Sequence, residues 1–157
     1  MSGLAPALLR STLIVADLER STEFYRTLGF EVESDIGGPR ASESKPFPLN
    51  VPARAFKLRI LRSAQPDGGH LGLLSFSDPA PGVTRPVSDE VGIGDVVLVV
   101  RINNAGAAHA ALTAAGARIV AAPTRYEMKR SDGSVGRGSL FHVFDPDGHV
   151  VELIAPE

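Results

Sequence analysis

The 157-residue chain has neither cysteine nor tryptophan. Without cysteine there are no disulfides, no thiolate metal sites and no thiol nucleophile, and a reducing compartment suits the chain. Neither sign of charge prevails. Lys and Arg number 16 against 18 Asp and Glu, for a net −2 at pH 7. No global field draws in nucleic acid. No apolar run approaches the roughly 20 residues that span a bilayer. The opening Met1–Arg10 lacks the basic stretch of a secretory signal. The expectation is a cytoplasmic protein that engages neither nucleic acid nor membrane. A phosphate-cradling loop is missing too, since Gly92-Ile93-Gly94 precedes a strand and lacks the rest of the dinucleotide pattern.

What the chain does have is a repeat. Arg10 to Val32 lies without a gap over Val97 to Ile119, and each copy later reaches a Pro-Asp-Gly turn, at Pro66 and at Pro146. Two similar supersecondary units are expected. In each, an apolar strand (Leu8 to Ala16; Asp95 to Ile102) meets a capping residue, Asp17 or Asn104, whose side chain can satisfy free helix N–H groups. The first helix buries a face of Leu18, Ser21, Phe24, Tyr25 and Leu28. Gly29 and Gly116 stop the helices because glycine takes positive φ without strain. Second strands are expected at Phe30 to Ile36 and Ala117 to Ala121, then long loops at 37–54 and 123–138. Hairpins follow at Phe56–Arg62 with His70–Phe76, and at Ser139–Phe144 with His149–Ile154. The organisation is one domain over 1–157, with module one at 7–77, a Pro- and Gly-rich linker at 78–94 and module two at 95–157.

Val15-Ala-Asp-Leu-Glu-Arg-Ser21 with Phe24-Tyr25 and Leu28-Gly29-Phe30 resembles the opening of vicinal-oxygen-chelate (VOC) proteins, and Phe144-Asp-Pro-Asp-Gly-His149 with Glu152-Leu153 resembles their close. This superfamily holds glyoxalase I, fosfomycin-resistance enzymes, extradiol dioxygenases and bleomycin-binding proteins. The resemblance covers nearly the whole chain. It implies an α+β fold of two tandem βαβββ modules, whose mixed sheets form a cupped, partly open barrel around one cavity. It also implies a homodimer.

Family enzymes commonly hold a divalent metal through His, His and Glu on the first and last strands of the units. Carried onto this chain, Glu152 matches the usual ligand carboxylate, seven residues after Asp145. Arg10, seven before Asp17, matches a first-strand ligand position. Setting His70–Leu74 beside His149–Leu153 makes Leu73 the counterpart of Glu152, and the register fixed by Arg101-Ile-Asn-Asn104 makes Val97 the counterpart of Arg10. One carboxylate of four positions remains, and a guanidinium there repels a cation. The expectation is no cofactor, with Arg10 paired to Glu152 as a fork to a carboxylate.

Catalytic candidates are therefore Glu152, His142 and Arg10. Arg10, Val97, Leu73, Asp95 and Tyr126 are the ligand-binding candidates. The alternative is a rebuilt metal site of Asp95, His142 and Glu152 in a metal-dependent lyase or dioxygenase. His149, His70 and His109 are expected at the surface. Arg40, Lys45, Phe47 and Arg54 on the first loop, and Arg125, Lys129, Arg130 and Arg137 on the second, could flank the opening. Either Phe56, Leu58 and Ile60 or Lys57, Arg59 and Leu61 line the first half of the cup. The expected function is binding a small organic, anionic molecule without a catalytic metal, as a sequestering binder or a metal-independent lyase or isomerase.

Overall fold

A computed structural model describes residues 7–39, 47–83 and 88–157. Arg40 and Lys45 lie outside the described residues. The elements run β1 (Arg10–Ile14), α1 (Leu18–Thr27), β2 (Glu31–Pro39), β3 (Ala55–Arg62), β4 (His70–Ser77), β5 (Val97–Arg101), α2 (Ala105–Ala114), β6 (Arg118–Ile119), β7 (Thr124–Lys129), β8 (Val135–Phe144) and β9 (Val150–Pro156). They make two mixed sheets, ordered β1-β4-β3-β2 and β5-β9-β8-β6, with β7 also on β8. In each, the first strand pairs parallel with the last. The chain divides into two units, Met1–Thr22 with Gly29–Thr84 and Glu23–Leu28 with Arg85–Glu157. The division runs through α1. Among the described residues no helix is long and apolar enough to cross a membrane.

Both helices start as their caps dictate. Asp17 Oδ1 accepts from Arg20 N at 3.0 Å, and Asn104 Oδ1 from Ala107 N at 2.8 Å. Both end on glycine in the left-handed region, Gly29 at φ 90° and Gly116 at φ 71°.

In the first sheet β3 alternates between two faces. Leu61 pairs with Leu71 and Arg59 with Leu73. This face meets α1, because Arg59 donates to Glu19 and Thr22 of that helix and to Asp35 of β2. Phe56, Leu58 and Ile60 lie on the other face, opposite Phe76, Leu74 and Gly72. Part of that open face is closed by the expected loop: Phe47 stacks edge-on against Phe76, and Leu49 and Ala53 join Leu74 in a small core.

Two expected loops are partly strand. β2 runs on to Pro39, past Gly37, with a bulge between Val32 and Ser34. The segment 123–138 is a hairpin of β7 on β8, from Thr124↔Leu140 to Lys129↔Val135. Asp132-Gly133 makes its turn, with Gly133 at φ 84° and Ser134 N bonded to Asp132 Oδ1 at 2.9 Å. The expected strand 117–121 shrinks to Arg118–Ile119. Pro123 has no N–H for a ladder, so β6 and β7 share one edge of β8 with a break between them.

Candidate functional site

The Asp145 turn ties the sequence signals together. The Asp145 carboxylate is fully buried. It accepts from Asp147 N at 3.0 Å, His149 N at 2.8 Å, Tyr25 Oη at 3.0 Å and His149 Nδ1 at 3.0 Å. Burial pushes its carboxyl up, but the His149 bond and charge, a backbone N–H and the Tyr25 hydroxyl outweigh burial and hold it below the usual range. His149 is held above the ordinary imidazole value by its bond to Asp145, against the opposing pull of burial. Burial, then the adjacent Asp145 charge, raises the Tyr25 phenol. His149 is thus a partner of Asp145, where a surface residue was expected. Phe24-Tyr25 and the Asp-Pro-Asp-Gly-His run meet here, and the second half of α1 accordingly belongs with the second unit.

The ladders revise the repeat by one residue. Ser63 N bonds Gly69 O, as Asp145 N bonds His149 O. Val15 N bonds Leu74 O, as Ile102 N bonds Ile154 O. The extra residues of the first turn therefore fall before Pro66. Thr12 opposes Gly72 where Val99 opposes Glu152, so Gly72 is the counterpart of Glu152. Leu73, expected there, is fully buried on the α1 face, as Leu153 is in the second unit. The pairing of Arg10 with Val97 as equivalents stands, since they oppose His70 and Val150 in matching registers.

His142 opposes Glu152 across β8 and β9. Their side chains meet at 3.0 Å, Nε2 to Oε2, and stay 38% and 25% exposed. A carboxylate accepts, so the contact is a hydrogen bond in the tautomer that carries its proton on Nε2. The sheet's alternation places Val97, Val99, Leu140 and Ile154 on the same face. Val97 is 42% and Val99 62% exposed. Tyr126, half-buried on β7, shares this face opposite Gly138. At its far end Arg118 lies 4.0 Å over the Phe144 ring.

The other candidates make these contacts within their own units. Asp95 lies before β5, where its Oδ2 accepts from Gly92 N at 2.7 Å. Arg10, in the first unit, donates from Nε to Thr12 Oγ1 at 3.2 Å. His70 meets Glu33 at 3.3 Å, and His109 stands edge-on to Phe141 at 5.5 Å. Two cations of the 124–139 hairpin are paired, Arg125 with Glu157 and Arg137 with Glu127. Among the described residues no three of His, Cys, Asp and Glu gather as a metal would require. This donor set falls short of a divalent ion: His142 and Glu152 engage each other, and Asp95 engages Gly92.

A βαβββ unit and a second that repeats it with β7 added on β8, each with a parallel first and last strand and an antiparallel hairpin, match the vicinal-oxygen-chelate fold. The family model described as Glyoxalase/Bleomycin resistance protein/Dioxygenase superfamily matches residues 7–153, and the chain belongs to this superfamily. It is similar to a glyoxalase family protein from Bacillus cereus, at 16% identity and TM-score 0.77 over 99% of this chain and 97% of that one. It is also similar to the trypanothione-dependent glyoxalase I of Leishmania major, at 20% identity and TM-score 0.59 over 96% and 87%. A genomically encoded fosfomycin resistance protein from Listeria monocytogenes aligns at 17% identity and TM-score 0.53 over 97% and 94%. At these identities the likeness is one of fold. Comparison with curated proteins gives no significant match.

Proposed function

We propose that the chain binds a small organic molecule against the open face of its second sheet, with the His142–Glu152 pair as polar anchor and without a catalytic divalent metal. The observation that carries this is the pair itself, an imidazole and a carboxylate 3.0 Å apart on a largely apolar surface. With Nε2–H given to Glu152, the Nδ1 lone pair of His142 is the atom that can take a proton from a bound molecule. Glu152 fixes the ring and the tautomer and stabilises the imidazolium that forms, as a carboxylate does behind any general-base histidine. Both groups accept hydrogen bonds, so they favour a ligand that donates one over the anionic ligand first expected.

Two uses of such a site share the binding step and differ in the chemistry after it. A sequestering binder holds its ligand unchanged. A metal-independent isomerase removes a proton through His142 Nδ1 and returns it to another atom of the same molecule, whereas a lyase uses the electron pair left behind to break a neighbouring bond and passes the proton to the group that leaves. The metal-dependent alternative has no ligand set in its favour among the described residues. A homodimer in the cytoplasm, with a small molecule as its only other partner, belongs to the same proposal.

The test is binding and deuterium exchange of small phenols and carbonyl compounds, monitored by NMR in D2O. Glu152→Gln and His142→Ala should each weaken binding. Exchange in the wild type that vanishes in both variants would identify the enzyme, and binding without exchange the sequestering protein. Binding unaltered by either substitution would refute the site.

A further inference from the structure

The open face of the first sheet carries a polar group of the opposite character. The repeat puts Arg10 where the second unit has Val97, and Gly72 where it has Glu152. The first face therefore gains a cation and lacks the carboxylate that would neutralise it. Arg10 Nε donates to Thr12 Oγ1 at 3.2 Å. A Cβ added at Gly72 would lie 2.7 Å from Thr12 Oγ1 and 3.2 Å from Leu58 Cδ1, which places Thr12 and Leu58 on one face. The nearby charges are engaged with each other. Arg62 pairs with Glu31, and His70, opposite Arg10 in the register, meets Glu33 at 3.3 Å. Arg10 has no carboxylate partner among the described residues. With Nε held by Thr12, its Nη1 and Nη2 remain as an end-on fork. Beyond Thr12 the face turns apolar. Leu58 and Ile60 are half-buried, and Ile14 and Ile36, opposite Leu74 and Leu58, are 40% and 49% exposed. The far end is closed at Phe76 by Phe47 and Leu49 of the loop before β3. From Gly72 to Phe76 the strand rises roughly 13 Å, four residues at about 3.3 Å each.

We infer that the first unit holds a ligand site of its own, for an unbranched aliphatic monocarboxylate whose head sits on Arg10 and whose chain lies over Leu58, Ile60 and Ile14 toward Phe47. This goes beyond the His142–Glu152 site and does not rest on it. A guanidinium fork matches the planar, two-oxygen carboxylate and keeps its charge at any working pH. Thr12 Oγ1 accepts from Arg10, which leaves its own O–H to donate to the same head group. A side chain at position 72 would displace Thr12, the residue that holds the fork. Each methylene laid on the apolar rows is removed from water, so affinity should climb with chain length until the Phe47 end is reached. The negative charges of Glu31 and Glu33 are met by Arg62 and His70, which stand on the strands between them and Arg10.

The probes are butanoate, hexanoate and octanoate, with 1-octanol as the uncharged match to the longest chain. Calorimetric titration into wild-type protein should show affinity rising by up to about fourfold for each methylene buried. Octanoate should bind about tenfold tighter than 1-octanol, the scale of a charge-assisted contact. Arg10→Gln should bring octanoate down to the level of 1-octanol, with 1-octanol affinity and the far-ultraviolet circular dichroism unchanged. His142→Ala should leave the whole series as it is in wild type, which separates this site from the one on the second unit. Equal affinity for octanoate and 1-octanol in wild type would overturn the inference, as would a preference that survives Arg10→Gln or an affinity independent of chain length. Octanoate binding lost in His142→Ala and kept in Arg10→Gln would overturn it too, and would assign the carboxylate to the second unit. If no probe binds, the carboxylate site falls and the His142–Glu152 site stands or falls by its own test.

Discussion

Replacing Tyr25 with phenylalanine removes one hydroxyl from the buried polar cluster at Asp145. The Asp145 carboxylate is fully buried and accepts four hydrogen bonds. Tyr25→Phe leaves three of them and keeps the ring, so no large void forms. A hydrogen bond to a buried charged group contributes about 1.5–3 kcal/mol. For a chain of this length each kcal/mol moves Tm by about 2–4 °C, so a fall of roughly 3–12 °C is expected. Urea unfolding followed by far-ultraviolet circular dichroism should give the same loss as a lower midpoint at unchanged slope.

The pH dependence has a definite sign. His149 is raised in the folded state by Asp145. Its contribution is complete below the ordinary histidine value of about 6.5 and is lost as pH rises through the folded value. Asp145 is lowered in the folded state, so its contribution is complete above about 3.9 and lost as pH falls through the folded value. The cluster therefore stabilises most in the weakly acidic range between those limits, and His149→Ala should flatten the alkaline side of that profile. A Tyr25→Phe cost below about 0.5 kcal/mol would fall in the range of ordinary surface changes and refute the assigned role of Asp145.

Gly138→Ala should destabilise by about 1–3 kcal/mol, the usual cost of overpacking, because the new methyl meets the Ala155 carbonyl and the Tyr126 ring; thermal denaturation measures it. Arg59→Met should cost about 1–2 kcal/mol, a modest figure because its carboxylate partners Glu19 and Asp35 are themselves exposed. Chemical denaturation at low and at high salt checks this, and the loss should shrink as salt screens the pairs.

Much of the scaffold is readable from local chemistry. Asp17, Asn104, Gly29 and Gly116 punctuate the helices by short-range rules, and they act where expected. The 124–139 hairpin is hidden because its charged, polar composition suggests a loop, although Asp132-Gly133 is a hairpin turn signal. The repeat register is off by one because the sequence cannot say on which side of Pro66 the extra residues fall. Only the ladder bonds of Ser63 and Gly69 decide it.

The site is legible where it is symmetrical about a turn. His142 precedes Asp145 by three residues and Glu152 follows it by seven, and a tight hairpin brings the two side by side. Asp95 lies ahead of strand β5, which starts two residues later at Val97, and its carboxylate accepts from Gly92 N. His149 has the sequence signature of an exposed turn residue, because its bond to Asp145 depends on how the turn closes.

The most direct test of the proposed site is calorimetric titration of β-naphthol into protein exhaustively dialysed against EDTA, with Glu152→Gln alongside wild type. Binding should survive chelation and weaken about tenfold in the variant, as the loss of a charged hydrogen-bond acceptor implies. Binding that disappears with EDTA and returns with a divalent metal would contradict a metal-free site, and equal affinity in Glu152→Gln would contradict the His142–Glu152 anchor.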